Sequence, residues 1–106
     1  MTDTPNAPGP RYAVVMAGLA REQFRALIRR GRYTGTADRY LAALRQLAER
    51  LAVEPHTLGE PLYDFRAMRM HVRRAALDPL YLEYGVHFDR PFVVVRHVVG
   101  LSGPAG

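Results

Sequence analysis

Cysteine, tryptophan and lysine are all absent from this 106-residue chain. Without cysteine there is no disulfide, no thiolate metal site and no cysteine nucleophile, so packing alone must hold the fold. Apolar runs are only a few residues long, too short for a helix that spans a bilayer. The opening Met1-Thr2-Asp3-Thr4-Pro5 has neither the basic start nor the apolar stretch of a secretory signal, and a cytoplasmic location away from any membrane is the expectation. No glycine-rich phosphate loop, nucleophile elbow or paired-carboxylate motif occurs.

What is present is a basic, otherwise ordinary globular composition, 48% hydrophobic and 24% charged, of a length that fits one domain. Lacking lysine, the chain carries arginine at all 15 basic positions against 10 acidic residues, for a net charge of +5. A GC-rich genome gives that bias without a functional cause. It still leaves a surface of permanently charged planar forks suited to phosphate and carboxylate, which fits a nucleic acid or an acidic protein as partner.

Met1–Pro10 carries three prolines, a glycine and an asparagine and reads as a disordered lead-in, and Ser102–Gly106 as a flexible tail. Arg11–Leu101 is the folded unit. Tyr12 to Ala17 is a short apolar run ending at Gly18, as for a buried strand. From Leu19 the period lengthens. Leu19, Phe24, Leu27 and Ile28 lie on one helical face, while Arg21, Arg25 and Arg29 recur on the other as a basic stripe, either a solvated face or a docking row. Gly31 to Gly35 interrupts the helix. Thr36 can cap a second one, striped by Tyr40, Leu41, Leu44, Leu47, Ala48 and Leu51 and ended near Val53 by Pro55. Two amphipathic helices so closely joined predict an antiparallel hairpin.

A loop from Glu54 to Pro61 leads to three strands, Met68–Leu77, Leu80–Phe88 and Phe92–Leu101, divided by Asp78-Pro79 and by Asp89-Arg90-Pro91. In the middle one Leu80, Leu82, Tyr84, Val86 and Phe88 alternate with Tyr81, Glu83, Gly85 and His87. Matching Met68, Met70 and Val72 to the leucines requires a turn with an odd number of residues. Arg69, His71, Arg73, Tyr81, Glu83 and His87 then share one sheet face. The helices cover the other. Arg96 and His97 point opposite ways, Arg96 joining the arginines.

This order of elements is a small α+β domain, β-α-α-β-β-β, with a helical hairpin packed on one face of a mainly antiparallel sheet. The chain resembles the RelE/ParE toxin superfamily of bacterial toxin–antitoxin systems over Arg11 to Leu101. The likeness rests on Leu58-Gly59-Glu60-Pro61-Leu62 before the meander, on Met68 to Arg73, and on Leu80 to Val86 followed by Phe92 to Val98. Tyr81 stands where many members carry an arginine in the middle strand, and Val99-Gly100-Leu101-Ser102-Gly103 lacks the basic and aromatic ending of RNA-cleaving members.

The resemblance implies a toxin-like protein that acts on messenger RNA at the ribosome as a metal-independent endoribonuclease with no cofactor. It implies a cognate antitoxin with an acidic or amphipathic segment as partner. The alternative is a non-enzymatic binder on the same fold, either an inhibitor of DNA gyrase like ParE or a degenerate toxin reused as an interaction module. Cleavage at a 2′-hydroxyl needs a base, cations for the developing charge and an acid. Glu83 or His71 could be the base, Arg69, Arg73 and Arg96 the cations, and Tyr81 a stacking platform. Arg69, Arg73, His87 and Arg96 would hold the nucleic acid. The same residues read structurally are an Arg73–Glu83 cross-strand ion pair on a solvated face. His71 and His87 could also meet in one register, with Glu83 or Glu60 as third ligand, but no metal-ligand spacing supports such a site and no metal is expected.

Overall fold

In the computed structural model, which describes residues 11–101, a short strand and a helical hairpin precede a four-stranded antiparallel meander. The expectations for Met1–Pro10 and Ser102–Gly106 lie outside the described residues. The first apolar run becomes β1 (Ala13–Met16), and the amphipathic stretches become α1 (Gly18–Thr34) and α2 (Ala37–Val53). The meander is β2 (Glu60–Phe65), β3 (Met70–Leu77), β4 (Leu80–His87) and β5 (Phe92–Gly100), in the sheet order β1-β5-β4-β3-β2 with β1 parallel to β5. No described helix is long and apolar enough to cross a membrane.

α1 runs three residues past Gly31, because Gly35 ends it in the left-handed region at φ 81° and donates its N–H to the Gly31 carbonyl. Gly31 is where the hairpin closes: a Cβ there would lie 2.8 Å from the Ala37 nitrogen. Thr36 stands at the α2 N-cap but makes no side-chain cap; its hydroxyl shares a 2.9 Å hydrogen bond with Thr34 instead. α2 ends at Val53, where Pro55 was expected to stop it. Leu27, Leu47 and Leu51 pack against Leu80, Leu82, Tyr84, Val86, Val93, Val95 and Val98 in one core on the helix side of the sheet. Leu19, assigned to the apolar face of α1, is 54% exposed in the first turn, beyond the sheet's reach.

β2 is a strand where the sequence reading has the end of a loop and an unassigned stretch. Leu62-Tyr63-Asp64-Phe65 supplies β-forming side chains, and Pro61 is tolerated because β2 is an edge. Gly59, at φ 68°, lets the incoming loop cross β3, since a Cβ there would fall 1.9 Å from the Arg74 carbonyl oxygen. A 3₁₀ turn, Arg66–Met68, and Arg69 in the left-handed region then lead into β3, which starts at Met70 rather than Met68.

The β3–β4 register corrects the expected one. The turn holds two residues, Asp78 and Pro79, so Leu77 pairs with Leu80, Ala75 with Leu82, Arg73 with Tyr84 and Arg74 with Glu83. Directly paired residues share a face, so His71 and Arg73 lie on the helix side, while Met70, Val72 and Arg74 lie on the open side with Tyr81, Glu83 and His87. Ala75 and Leu77 take the core positions expected of Met70 and Val72. Met70 and Val72 are buried nonetheless, flanked on the open face by Phe65 and Tyr63, and Gly85 makes the room: a Cβ there would meet the Met70 sulfur at 2.5 Å.

Candidate functional site

On the open face, β5 carries a bulge opposite Glu83, where Val95 pairs with Tyr84 and His97 with Glu83. Two residues against one turn Arg96 and His97 toward the same side, correcting the expectation that they diverge, and return Val98 to the core beside Val93 and Val95. Arg96 Nη1 stands 3.5 Å from Glu83 Oε2, with side chains only 26% and 19% exposed, and donates to the Tyr63 hydroxyl at 3.2 Å. Its guanidinium lies 5.0 Å from the centroid of the Phe65 ring. Beside this group Arg74 is paired with Glu60 at 3.0 Å, and Tyr81 shares the face.

The rim of that face is equally committed. Arg69 is hydrogen-bonded and ion-paired to Asp89, and that contact, before any other influence, holds the Asp89 carboxyl below its ordinary range. His87 Nδ1 accepts the N–H groups of Asp89 and Arg90 at 3.1 and 3.0 Å, and its ring stacks on Phe92 with centroids 4.7 Å apart. His87 thus shapes the β4–β5 turn. Arginines Arg69, Arg74 and Arg96 each already face a carboxylate, which blunts this surface as a phosphate cradle.

The helix side holds the second group, where the loop between α2 and β2 folds over β3. Tyr84 is fully buried and donates its hydroxyl to the Leu58 carbonyl at 2.5 Å, fixing that loop; burial chiefly pushes its phenol up from the ordinary range. Arg73 donates from Nε to the same carbonyl at 3.3 Å and from Nη2 to the Gly59 carbonyl at 3.2 Å. No described carboxylate makes an ion pair with it. His71 donates from Nδ1 to Asp64 Oδ1 at 2.7 Å, since a carboxylate only accepts, and Phe88 supports its ring at 4.5 Å. His56 stands edge-on to His71 with centroids 6.1 Å apart, and its Nε2 shares a 3.2 Å hydrogen bond with the Tyr12 hydroxyl. Burial first, then the charges of His71 and Arg73, hold the His56 imidazole below its ordinary pKa. His56, Asp64, His71 and Arg73 border an open cavity of about 510 Å3. A larger cleft of about 660 Å3, between the hairpin tip and the β3–β4 turn, offers only hydroxyls, Arg30 and an Arg39 already paired with Asp78.

The residues named from sequence are therefore divided. Glu83 and Arg96 meet on the open face, which Tyr81 shares, with Arg69 and His87 at its end, while His71 and Arg73 lie behind the sheet. The expected Arg73–Glu83 pair is replaced by Arg96–Glu83, with Arg74 as the cross-strand neighbour of Glu83. His71 pairs with Val86 and His87 with Met70, so the two histidines face opposite sides and cannot share a metal. Among the described residues no cluster of three His, Cys, Asp or Glu side chains could hold one. Sequence reasoning missed Tyr12, His56 and Asp64. The aromatic and aliphatic residues around Asp64 were the available signal, because a strand there brings it opposite His71.

No family profile and no curated protein matches the chain in sequence. Solved structures do match. A chain of the toxin–antitoxin complex RelBE2 from Mycobacterium tuberculosis superposes at TM-score 0.65 and 24% identity, over 90% of this chain and 97% of that one. A chain of the chromosomal ParDE toxin–antitoxin system from P. aeruginosa gives 0.62 at 11% identity, over 87% and 98%. TrmO from P. aeruginosa gives 0.51 at 21% identity, over 90% of this chain but 36% of its own. At these identities the likeness is one of architecture, and the two toxin–antitoxin matches are nearly end to end: the chain has the RelE/ParE toxin fold.

Proposed function

We infer that this chain is the toxin-like component of a bacterial toxin–antitoxin pair, working in the cytoplasm and cleaving messenger RNA at the ribosome. The end-to-end match to chains from two toxin–antitoxin systems carries this reading. The net charge of +5 supports an acidic antitoxin segment and a polyanionic target. The basic residues Arg69, Arg73 and Arg96, with His87, remain the proposed nucleic-acid contacts, and His71, Tyr81 and Glu83 the proposed chemical groups. A second reading, a non-enzymatic binder that acts on gyrase or another protein, draws support from one specific observation. The proposed catalytic set is split between two sheet faces, and most of its cations are already paired. Growth after induction from a tightly repressed promoter tests both. Arrest that is relieved by co-expressing a small acidic protein encoded beside this chain supports the toxin reading, and unchanged growth contradicts it. Arrest with altered plasmid supercoiling and intact messenger RNA selects the gyrase reading.

A further inference from the structure

We propose that the cleft between the hairpin tip and the β3–β4 turn binds a small phosphomonoester, its phosphate held by Arg30 and the Tyr40 hydroxyl and its organic part seated on Leu27 and Pro79. The cleft lies beyond the end of β3 farthest from His71, and none of its residues belongs to the groups proposed to act on RNA. Four parts of the fold border it. α1 continues past Gly31 to Thr34, so the hairpin tip and the two-residue turn Asp78-Pro79 face each other across the cleft. Arg39 Nη2 and Asp78 Oδ2, 3.0 Å apart, join the two sides. Gly100 keeps the space open. It pairs with the buried Leu80, so a side chain there would project toward the helices, and a Cβ would lie 2.9 Å from Leu27 Cδ2 and 3.2 Å from the Tyr40 hydroxyl. The resulting volume, about 660 Å3, falls in the size range of small-ligand sites and exceeds what a bare phosphate ion fills.

The chemistry of the lining selects the ligand. Arg30 makes no ion pair with any described carboxylate. The Tyr40 hydroxyl has no hydrogen-bond partner among the described residues and, since no buried polar side-chain atom is left unsatisfied, it opens to the cleft. Arg39 bonds Asp78 through one nitrogen only, which leaves its other N–H groups for a ligand. Two guanidinium groups against the one carboxylate of Asp78 give the lining a positive excess, which calls for an anion. A carboxylate offers two oxygens in one plane. A phosphomonoester spreads three terminal oxygens tetrahedrally and can accept from the Arg30 fork, the Tyr40 hydroxyl and Arg39 from separate sides. The rest of the lining is apolar: Leu27 and Pro79 are buried at the base, and Leu101 stands at the mouth. Inorganic phosphate leaves that carbon surface wet, whereas an ester with a compact aromatic part covers it. A ligand seated there touches α1, α2, the β3–β4 turn and the end of β5 together, and so stabilises the native chain by mass action.

The test is calorimetric titration of the full chain at fixed salt with phenyl phosphate, inorganic phosphate and benzoate, with the thermal midpoint followed against ligand concentration. Phenyl phosphate should saturate a single site, raise the midpoint as its concentration rises, and bind more tightly than either of the other two. Arg30→Ala should weaken it ~10–100-fold, the range for a hydrogen bond to a charged group. Tyr40→Phe, which keeps the ring that packs against the core, should weaken it ~2–10-fold. Arg25→Ala removes one charge from the exposed side of α1, outside the cleft, and should bind as the parent does. Arg30 is itself exposed and without an ion-pair partner, so its alanine variant should melt as the parent does in the absence of ligand. No saturation at millimolar phenyl phosphate overturns the site. So does equal weakening by Arg30→Ala and Arg25→Ala, which is the response of net charge alone. Benzoate binding as tightly as phenyl phosphate overturns the choice of a phosphate, and inorganic phosphate binding as tightly overturns the seat for an organic part.

Discussion

Tyr84 ties the core to the loop that shapes the candidate cavity. Its ring is fully buried, and its hydroxyl accounts for a Leu58 carbonyl that also accepts from Arg73. Tyr84→Phe removes the donor without emptying the space, so it should lower unfolding stability by about 1–3 kcal/mol in urea titrations. His56 gives a second readout. Its folded-state pKa is depressed, so near pH 6.5 the unfolded chain binds the proton more readily than the native one, and stability rises with pH. The contribution is present above the unfolded value of 6.5 and is lost as pH falls through the lower folded value. The thermal midpoint should therefore drop between pH 7 and pH 5, and His56→Gln should flatten that drop.

At the scale of elements, the helical hairpin was legible in sequence because Phe24, Leu27 and Ile28 in α1, and Leu44, Leu47 and Leu51 in α2, recur with the helical period, and Leu27, Leu47 and Leu51 are core residues. Within α2, Leu47 is fully buried while Leu44 only packs against the core's edge. Leu47→Ala should accordingly cost about 2–5 kcal/mol and Leu44→Ala clearly less, compared by chemical denaturation. The middle strand's alternation was equally plain. What could not be read was the register of its neighbour, because β3 carries apolar residues on both faces, Met70 and Val72 on one and Ala75 and Leu77 on the other. Matching either pair to the leucines satisfies a hydrophobic pattern, and only the length of the turn decides between them. β2 gave no alternation because nearly all of it is exposed at a sheet edge, and the Arg96–His97 bulge leaves no mark in a run of valines. The candidate site was half legible for the same reason: His71 and Arg73 were named, but the face they share with His56 and Asp64 follows from the register.

Taken over the whole molecule, a net charge of +5 hides an uneven distribution of free cations. Arg69 and Arg96 are neutralised by Asp89 and Glu83, whereas Arg73 is not. RNA binding should weaken with added salt, and Arg73→Ala should flatten that dependence by about one unit. Arg69→Ala and Arg96→Ala should change the slope less, because each also releases a carboxylate; filter-binding titrations at several salt concentrations separate the three. The fold itself, shared with chains of two toxin–antitoxin systems, is compatible with action on RNA or on a protein. The direct discriminator is a map of RNA 5′ ends across the transcriptome minutes after induction. Action on messenger RNA predicts new 5′-hydroxyl ends inside coding regions, appearing before growth stops and absent when His71→Gln is induced. Growth arrest with an unchanged map of RNA ends would contradict it.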